Sequence, residues 1–186
     1  MDDGATDITD RASDVVTSGV THQGLRVDLV RYEEAREVEA PSEYDEWPDG
    51  EREPPPELAR LLVELTDATG TRAVAGAVSW HRVSYGATAG SHAWNIGIGL
   101  SESTRGHGVG SVAQRLLAEW LLRTTDVHRI EASTDVANVA EQRALERAGF
   151  TREGTLRSAQ ERADGRHDLY SYSFLRSDLA EPGPRG

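Results

Sequence analysis

The chain has 186 residues, enough for one domain with a real hydrophobic core. Its 20 basic residues, all arginine, stand against 32 acidic ones, and the formal net charge of −12 argues against non-specific nucleic-acid binding, because phosphate backbones need basic patches. Cysteine is absent, which excludes disulfides, thiolate metal ligands and cysteine nucleophiles.

Residues 1–20 carry five aspartates among small polar residues and read as a disordered acidic tail. The expected domain spans 21–178, and 179–186, closing on Glu181-Pro-Gly-Pro-Arg-Gly186, reads as a flexible tail. Gly24 to Tyr32 alternates apolar and polar residues, the signature of a half-buried strand. Glu33 to Glu53 holds ten carboxylates and two arginines, and with its prolines the 33–56 stretch reads as a short helix plus loop. The acid there is either a solvated surface or a rim that attracts a cationic substrate. Leu61 to Thr66 and Ala73 to His81, turned near Gly70, predict a β-hairpin. A strand over 93–100 follows.

A helix is expected over 111–123, with Val112, Leu116, Leu117, Trp120 and Leu121 on one face. Arg129 to Thr134 is a further strand. Asn138 suits a helix N-cap, Glu141 three residues later completes a capping-box pattern, Ala140, Ala144, Leu145 and Ala148 form the apolar face, and Gly149 is placed to end the helix. Strands over 150–159 and 168–175 turn at Asp164-Gly165. Hairpins force antiparallel pairs and crossover helices favour parallel ones, so the expected fold is α/β, with a mixed, mostly antiparallel central sheet of about six to seven strands flanked by helices. The sequence shows no apolar run long enough to span a membrane and no basic-then-apolar leader, so the expected location is cytoplasmic. The six histidines lack metal-ligand spacing, and no metal is expected.

Between the 93–100 strand and the 111–123 helix lies Arg105-Gly-His-Gly-Val-Gly-Ser111. Glycines let backbone approach a ligand closely, and the first N–H groups of a helix have no internal partner, so the segment predicts an anion site suited to phosphate. A nucleoside-triphosphate loop would require Gly-Lys-Ser/Thr, and there is no lysine. Gly108-x-Gly110-x-x-Ala113, with Glu131 downstream, matches a Rossmann dinucleotide fingerprint. Its place past the middle of the chain, after two apparent hairpins, counts against that alternative.

Arg105-x-x-Gly108-x-Gly110 after an apolar strand resembles the acyl-coenzyme A pyrophosphate loop of the GCN5-related N-acetyltransferase (GNAT) superfamily. The likeness continues through Asp135-Val-Ala-Asn138, Ala144-Leu-Glu-Arg-Ala-Gly-Phe150 and Thr151-Arg-Glu-Gly-Thr-Leu-Arg157 to Tyr170-Ser-Tyr-Ser-Phe-Leu-Arg176, and is nearest to the ribosomal-protein N-terminal acetyltransferase (RimJ/RimL-like) branch. The resemblance implies acetyl-CoA as co-substrate. It implies phosphate binding by Arg105, Gly106, His107, Gly108, Val109, Gly110 and Ser111, and pantetheine binding by Ile98, Gly99, Leu100 and Asn138, with Arg143 near the phosphates. Backbone at Ile98 would polarise the thioester carbonyl, and Gly97 and Gly99 would ease a bulge there.

The chain departs from the family where chemistry is concerned. Asn95 stands near the place of a common glutamate base, Leu145 at that of a tyrosine acid, and Ala140 and Glu141 where the ribosomal branch often has serine. Glu141 and Tyr172 are the candidate acid–base residues, and Trp47, His81 and Trp94 the candidate acceptor-pocket residues. The expected activity is acetyl transfer to an amine, either of a small cationic metabolite or antibiotic or of a protein N-terminus, with no nucleic-acid or membrane partner and with a homodimer left open. A non-catalytic acyl-CoA-binding module is the alternative.

Overall fold

A computed structural model describes residues 14–49, 54–55 and 57–179. Eight strands form one sheet in the order β1-β2-β3-β4-β5-β6-β8-β7: β1 (Val15–Val20), β2 (Arg26–Arg31), β3 (Ala59–Thr66), β4 (Arg72–Ser84), β5 (His92–Leu100), β6 (Arg129–Asp135), β7 (Thr151–Arg162) and β8 (Gly165–Leu175). Two helices, α1 (Val109–Thr124) and α2 (Val139–Ala148), pack against each other and against the sheet. Every neighbouring pair of strands is antiparallel except β5 and β6. The mixed, mostly antiparallel class therefore holds, with one strand more than expected.

That extra strand corrects the reading of residues 1–20 as a tail. Val15-Val-Thr-Ser-Gly-Val20 pairs with β2, and Gly19 lets α1 come close: a Cβ there would lie 3.0 Å from Val112 Cγ1. The five aspartates dominate the segment's average polarity and conceal this short β-branched run. Residues 1–13 and 180–186 of the expected tails lie outside the described residues.

The acidic stretch after β2 forms two short 3₁₀ turns, Glu34–Arg36 and Glu43–Asp45, in place of a helix. On α1 the deeply buried residues are Val109, Ala113, Gln114, Leu117, Ala118, Leu121 and Leu122. Val112, Leu116 and Trp120 flank that stripe as partly buried neighbours, Trp120 edge-on to Trp80 at 5.6 Å. The apolar face is thus turned from the expected one, because it serves both the sheet centre and β1.

The expected bulge at Gly97 and Gly99 does not form, since β4 and β5 pair in unbroken register. The irregularity lies in β4 instead, where β3 steps from Val63↔Gly76 to Glu64↔Val74. A Cβ on Gly76 would sit 2.0 Å from Gly99 O, so glycine is what lets these strands touch at the kink. Among the described residues no helix is long and apolar enough to cross a membrane.

Candidate functional site

The parallel pairing of β5 and β6 consists of two register positions, Trp94↔Ile130 and Asn95↔Glu131. Beyond them the strands diverge, so Ile96–Leu100 and Ala132–Asp135 face each other across a gap. That gap opens into a cleft of about 740 Å³ that runs to the glycine loop. The expected residues Ile98, Gly99, Leu100, Arg105, Gly106, Gly108, Gly110, Ser111, Asn138, Glu141 and Arg143 all line it.

Gly108 caps α1 with φ 80°, a left-handed conformation that suits glycine. Among the described residues the first backbone hydrogen bond of this helix is Val112 N–H to Gly108 O, at 3.3 Å. The N–H groups of the preceding turn therefore lack a backbone acceptor, and Gly106, Gly108, Gly110 and Ser111 line the cleft. Arg143 and Arg147 of α2 also line the cleft and make no ion pair among the described residues. The Arg105 guanidinium donates to Leu100 O and to Pro41 O, fastening the end of β5 to the acidic segment.

Asn138 caps α2 by accepting from Glu141 N–H at 3.1 Å. The capping box is not completed, because Asn138 N–H donates to Asp135 O instead. The Glu141 side chain lines the cleft. Its carboxyl is packed among protein atoms although the residue keeps some exposed surface, and burial pushes its pKa up to about 7, against a smaller lowering influence of the Gln114 amide.

The facing lip of the cleft, at the end of β6, carries a polar cluster. Asp135, at the end of β6, is buried; it accepts from Arg162 Nη1 at 2.9 Å, His167 Nδ1 at 2.8 Å and Ala137 N–H at 2.7 Å. Burial opposes its charge, but Ala137, His167 and Arg162 together hold its carboxyl below the ordinary range. His167 Nε2 lies 2.8 Å from Asp164 Oδ1, and the two carboxylates, Asp164 first, raise the imidazole above its usual pKa. Arg162 also donates to Gln160 and lies over the Tyr44 ring, while Ala163 N–H donates to Glu46 O. The Ser42–Glu46 segment is thereby hung across the cleft mouth, with Glu43 and Asp45 on its rim.

Several expected site residues fall elsewhere. His107 is exposed beside the cleft, and the Val109 side chain is buried in the core, which leaves Val109 only its backbone to offer. Tyr172 is fully buried under α2, its hydroxyl without a hydrogen-bond partner, and burial raises its pKa. Trp94 is at the closed end of the split, in a shallow depression with Glu57, Arg82, His92 and Asp126. It stands four residues before Ile98, roughly 13 Å along an extended strand. His81 sits across from Asn95, outside the cleft lining, and burial lowers its pKa. Trp47 follows the strap across the mouth, half-buried and outside the lining. Sequence reading missed Tyr44, Asp135, Arg162 and Gln114. Only Gln114 gave a signal, as a polar residue within an apolar helical stripe.

The Acetyltransferase (GNAT) domain family matches residues 24–151, and the chain belongs to that family. A 62-residue stretch is 37% identical to a probable N-acetyltransferase, YjcK, of Bacillus subtilis, covering 33% of this chain and 34% of that protein. Mycobacterium smegmatis RimJ, solved in complex with CoA-disulfide, shares the fold with a TM-score of 0.54 and 22% identity, over 66% of this chain and 56% of that one. The ribosomal-protein-S5-alanine acetyltransferase of Vibrio fischeri does so with a TM-score of 0.53 and 20% identity, over 66% and 64%. The chain thus spans about a third of its curated relative's length and less than two thirds of these solved chains.

Proposed function

We propose that the protein is an acetyl-CoA-dependent N-acetyltransferase acting on an amine. The observation that carries this reading is the split between β5 and β6 leading to a glycine-capped helix N-terminus. An elongated acyl carrier with a diphosphate at one end fits that shape. The free N–H groups of Gly106 to Ser111, with Arg143 and Arg147, would hold the phosphates. The unpaired edge of Ile98 to Leu100 and the Asn138 side chain would meet the amides of the carrier's arm.

When bound, the co-substrate supplies an acetyl thioester. The acceptor nitrogen attacks the carbonyl carbon, an N–C bond forms, the C–S bond breaks and the thiolate departs. The amine proton needs an acceptor. Glu43 and Asp45 are exposed, and Asp135 is held by Arg162, His167 and Ala137. Glu141 is left as the carboxylate in the cleft that can trade protons near neutrality, and we assign it as general base. The acidic strap, with Glu43 and Asp45 exposed on its rim, favours a cationic acceptor, a small metabolite or antibiotic before a protein N-terminus.

Calorimetry with acetyl-CoA, followed by thiol release across a panel of polyamines, aminoglycosides and N-terminal peptides, tests the reading. The expected outcome is coenzyme binding plus turnover on a cationic amine. Coenzyme binding without turnover on any amine would favour a binding module. Binding of NAD(H) without coenzyme A binding would overturn both.

A further inference from the structure

The Ser42–Glu46 strap is fastened at its two ends by different chemistry. At the near end Arg105 donates to Pro41 O, and Ala40 packs on Gly99, where an added Cβ would lie 3.2 Å from the Ala40 methyl. An arginine and an apolar contact do not respond to pH near neutrality. The far end rests on the β7–β8 hairpin. Ala163 N–H donates to Glu46 O at 2.9 Å, the Arg162 guanidinium lies over the Tyr44 ring, and the Tyr44 hydroxyl donates to Ala137 O at 3.4 Å. Ala163 and Asp164 form the tip of that hairpin, since Arg162 pairs with Gly165. Whatever holds Asp164 therefore steadies the far anchor.

Among the described residues, the side chain that holds the Asp164 carboxylate is His167, which stands between two carboxylates. Its Nδ1 is 2.8 Å from Asp135 Oδ2, and its Nε2 is 2.8 Å from Asp164 Oδ1. Both contacts are hydrogen bonds only when both ring nitrogens carry protons. A neutral ring keeps one N–H and turns a lone pair on the other carboxylate. Exposure decides which contact breaks. The Asp135 side chain is 3% exposed and also accepts from Arg162 and Ala137 N–H, whereas that of Asp164 is 74% exposed and can turn to water. The charged groups facing His167 are Asp135 from β6, Arg162 from β7 and Asp164 from the tip. On its own strand, Arg166 pairs with Glu161, and Asp168 accepts from Ser158 N–H.

We propose that His167 is a proton-operated latch on the cleft mouth: charged, it clamps Asp164 and with it the strap; neutral, it releases the hairpin tip, and the Glu46 end of the strap swings out about its Arg105 end. The two carboxylates raise the imidazole pKa, so opening comes on the alkaline side of 6.5. The latch belongs to the mouth of the cleft and does not depend on which molecule enters.

Trp47, half-buried and next to the strap, reports its position without any substrate. In protein carrying 5-fluorotryptophan, the Trp47 ¹⁹F resonance is assigned with Trp47→Phe. It is then followed from pH about 6 to about 9 beside the ¹⁵N-detected titration of His167. The two should share one midpoint. His167→Gln has no proton to lose, so its Trp47 resonance should stay at the alkaline wild-type position throughout. Asp164→Asn keeps an acceptor but removes a charge, and should lower both midpoints together. A Trp47 resonance that does not move while His167 titrates overturns the proposal, as does a transition that persists in His167→Gln. Melting curves check each fold. If His167→Gln does not fold, Asp164→Asn decides: a Trp47 midpoint that stays while that of His167 falls overturns the latch.

Discussion

Glu141 and Tyr172 are the two acid–base candidates that the sequence offers, and their surroundings separate them. Tyr172 is fully buried with a hydroxyl that bonds to nothing, whereas Glu141 opens on the cleft. Tyr172→Phe removes an unsatisfied buried group, so it should stabilise the fold by up to about 1 kcal/mol. It should also leave acetyl transfer unchanged, as chemical denaturation and steady-state rates would show; a large loss of kcat would return the hydroxyl to the chemistry. Gly108 is constrained by its backbone. Alanine in its left-handed conformation costs about 1–2 kcal/mol, and the new Cβ would press on His22 Nδ1 at 3.1 Å. Gly108→Ala should therefore lose both stability and coenzyme affinity, measured by melting and calorimetry. Wild-type affinity in that variant would mean that the loop does not hold phosphate.

At the scale of elements, the β7–β8 hairpin is joined to the end of β6 through His167. Its two carboxylate neighbours raise its pKa in the folded state above the ordinary value of 6.5. Stability from this pairing is fully present below the unfolded pKa and is lost as pH rises through the raised folded value. Wild type should lose melting temperature relative to His167→Gln as pH climbs from about 6 to about 9. Parallel melting curves would show that the imidazole's charge contributes nothing. α2 supplies a different element-scale expectation. Removing Arg143 and Arg147 together should weaken coenzyme binding roughly tenfold or more, with the larger effect at low salt.

Elements of this kind were legible in the sequence to differing degrees. α2 announced itself at both ends, by Asn138 and by Gly149, whose N–H bonds back to Leu145 and Glu146 carbonyls. Periodicity found β2 through β8, because alternation is a local signal. β1 was hidden by its acidic neighbours. The Asp135–His167–Asp164 and Arg162–Tyr44 contacts join segments far apart in the chain, and no spacing rule brings them together. Trp94 and His81 drew attention by residue type, yet strand register, which decides how far along the split each one stands, was not readable without the partner strands.

For the molecule as a whole, charges of both signs line one cleft. Arg105, Arg143 and Arg147 line it from the glycine loop and α2, the strap adds Glu43 and Asp45, and Arg162 balances Asp135 at the end of β6. An anionic carrier would be drawn to the arginines of the loop and α2 and a cationic acceptor to the acidic strap, and both associations should slow as salt is added.

The two-position ladder between β5 and β6 divides the sheet into a five-stranded and a three-stranded half, each closed by its own antiparallel bonds. The molecule is in this sense an unfinished sheet whose missing rung is supplied from outside. A ligand lying in the split would tie the halves together as a strand does. At a hundredfold excess over its Kd it would add about 2.7 kcal/mol to the folded state. Amide exchange should slow along both lips, Ile96–Leu100 and Ala132–Asp135, more than at the outer edges β1 and β7. Substrate binding and completion of the fold would then be one event.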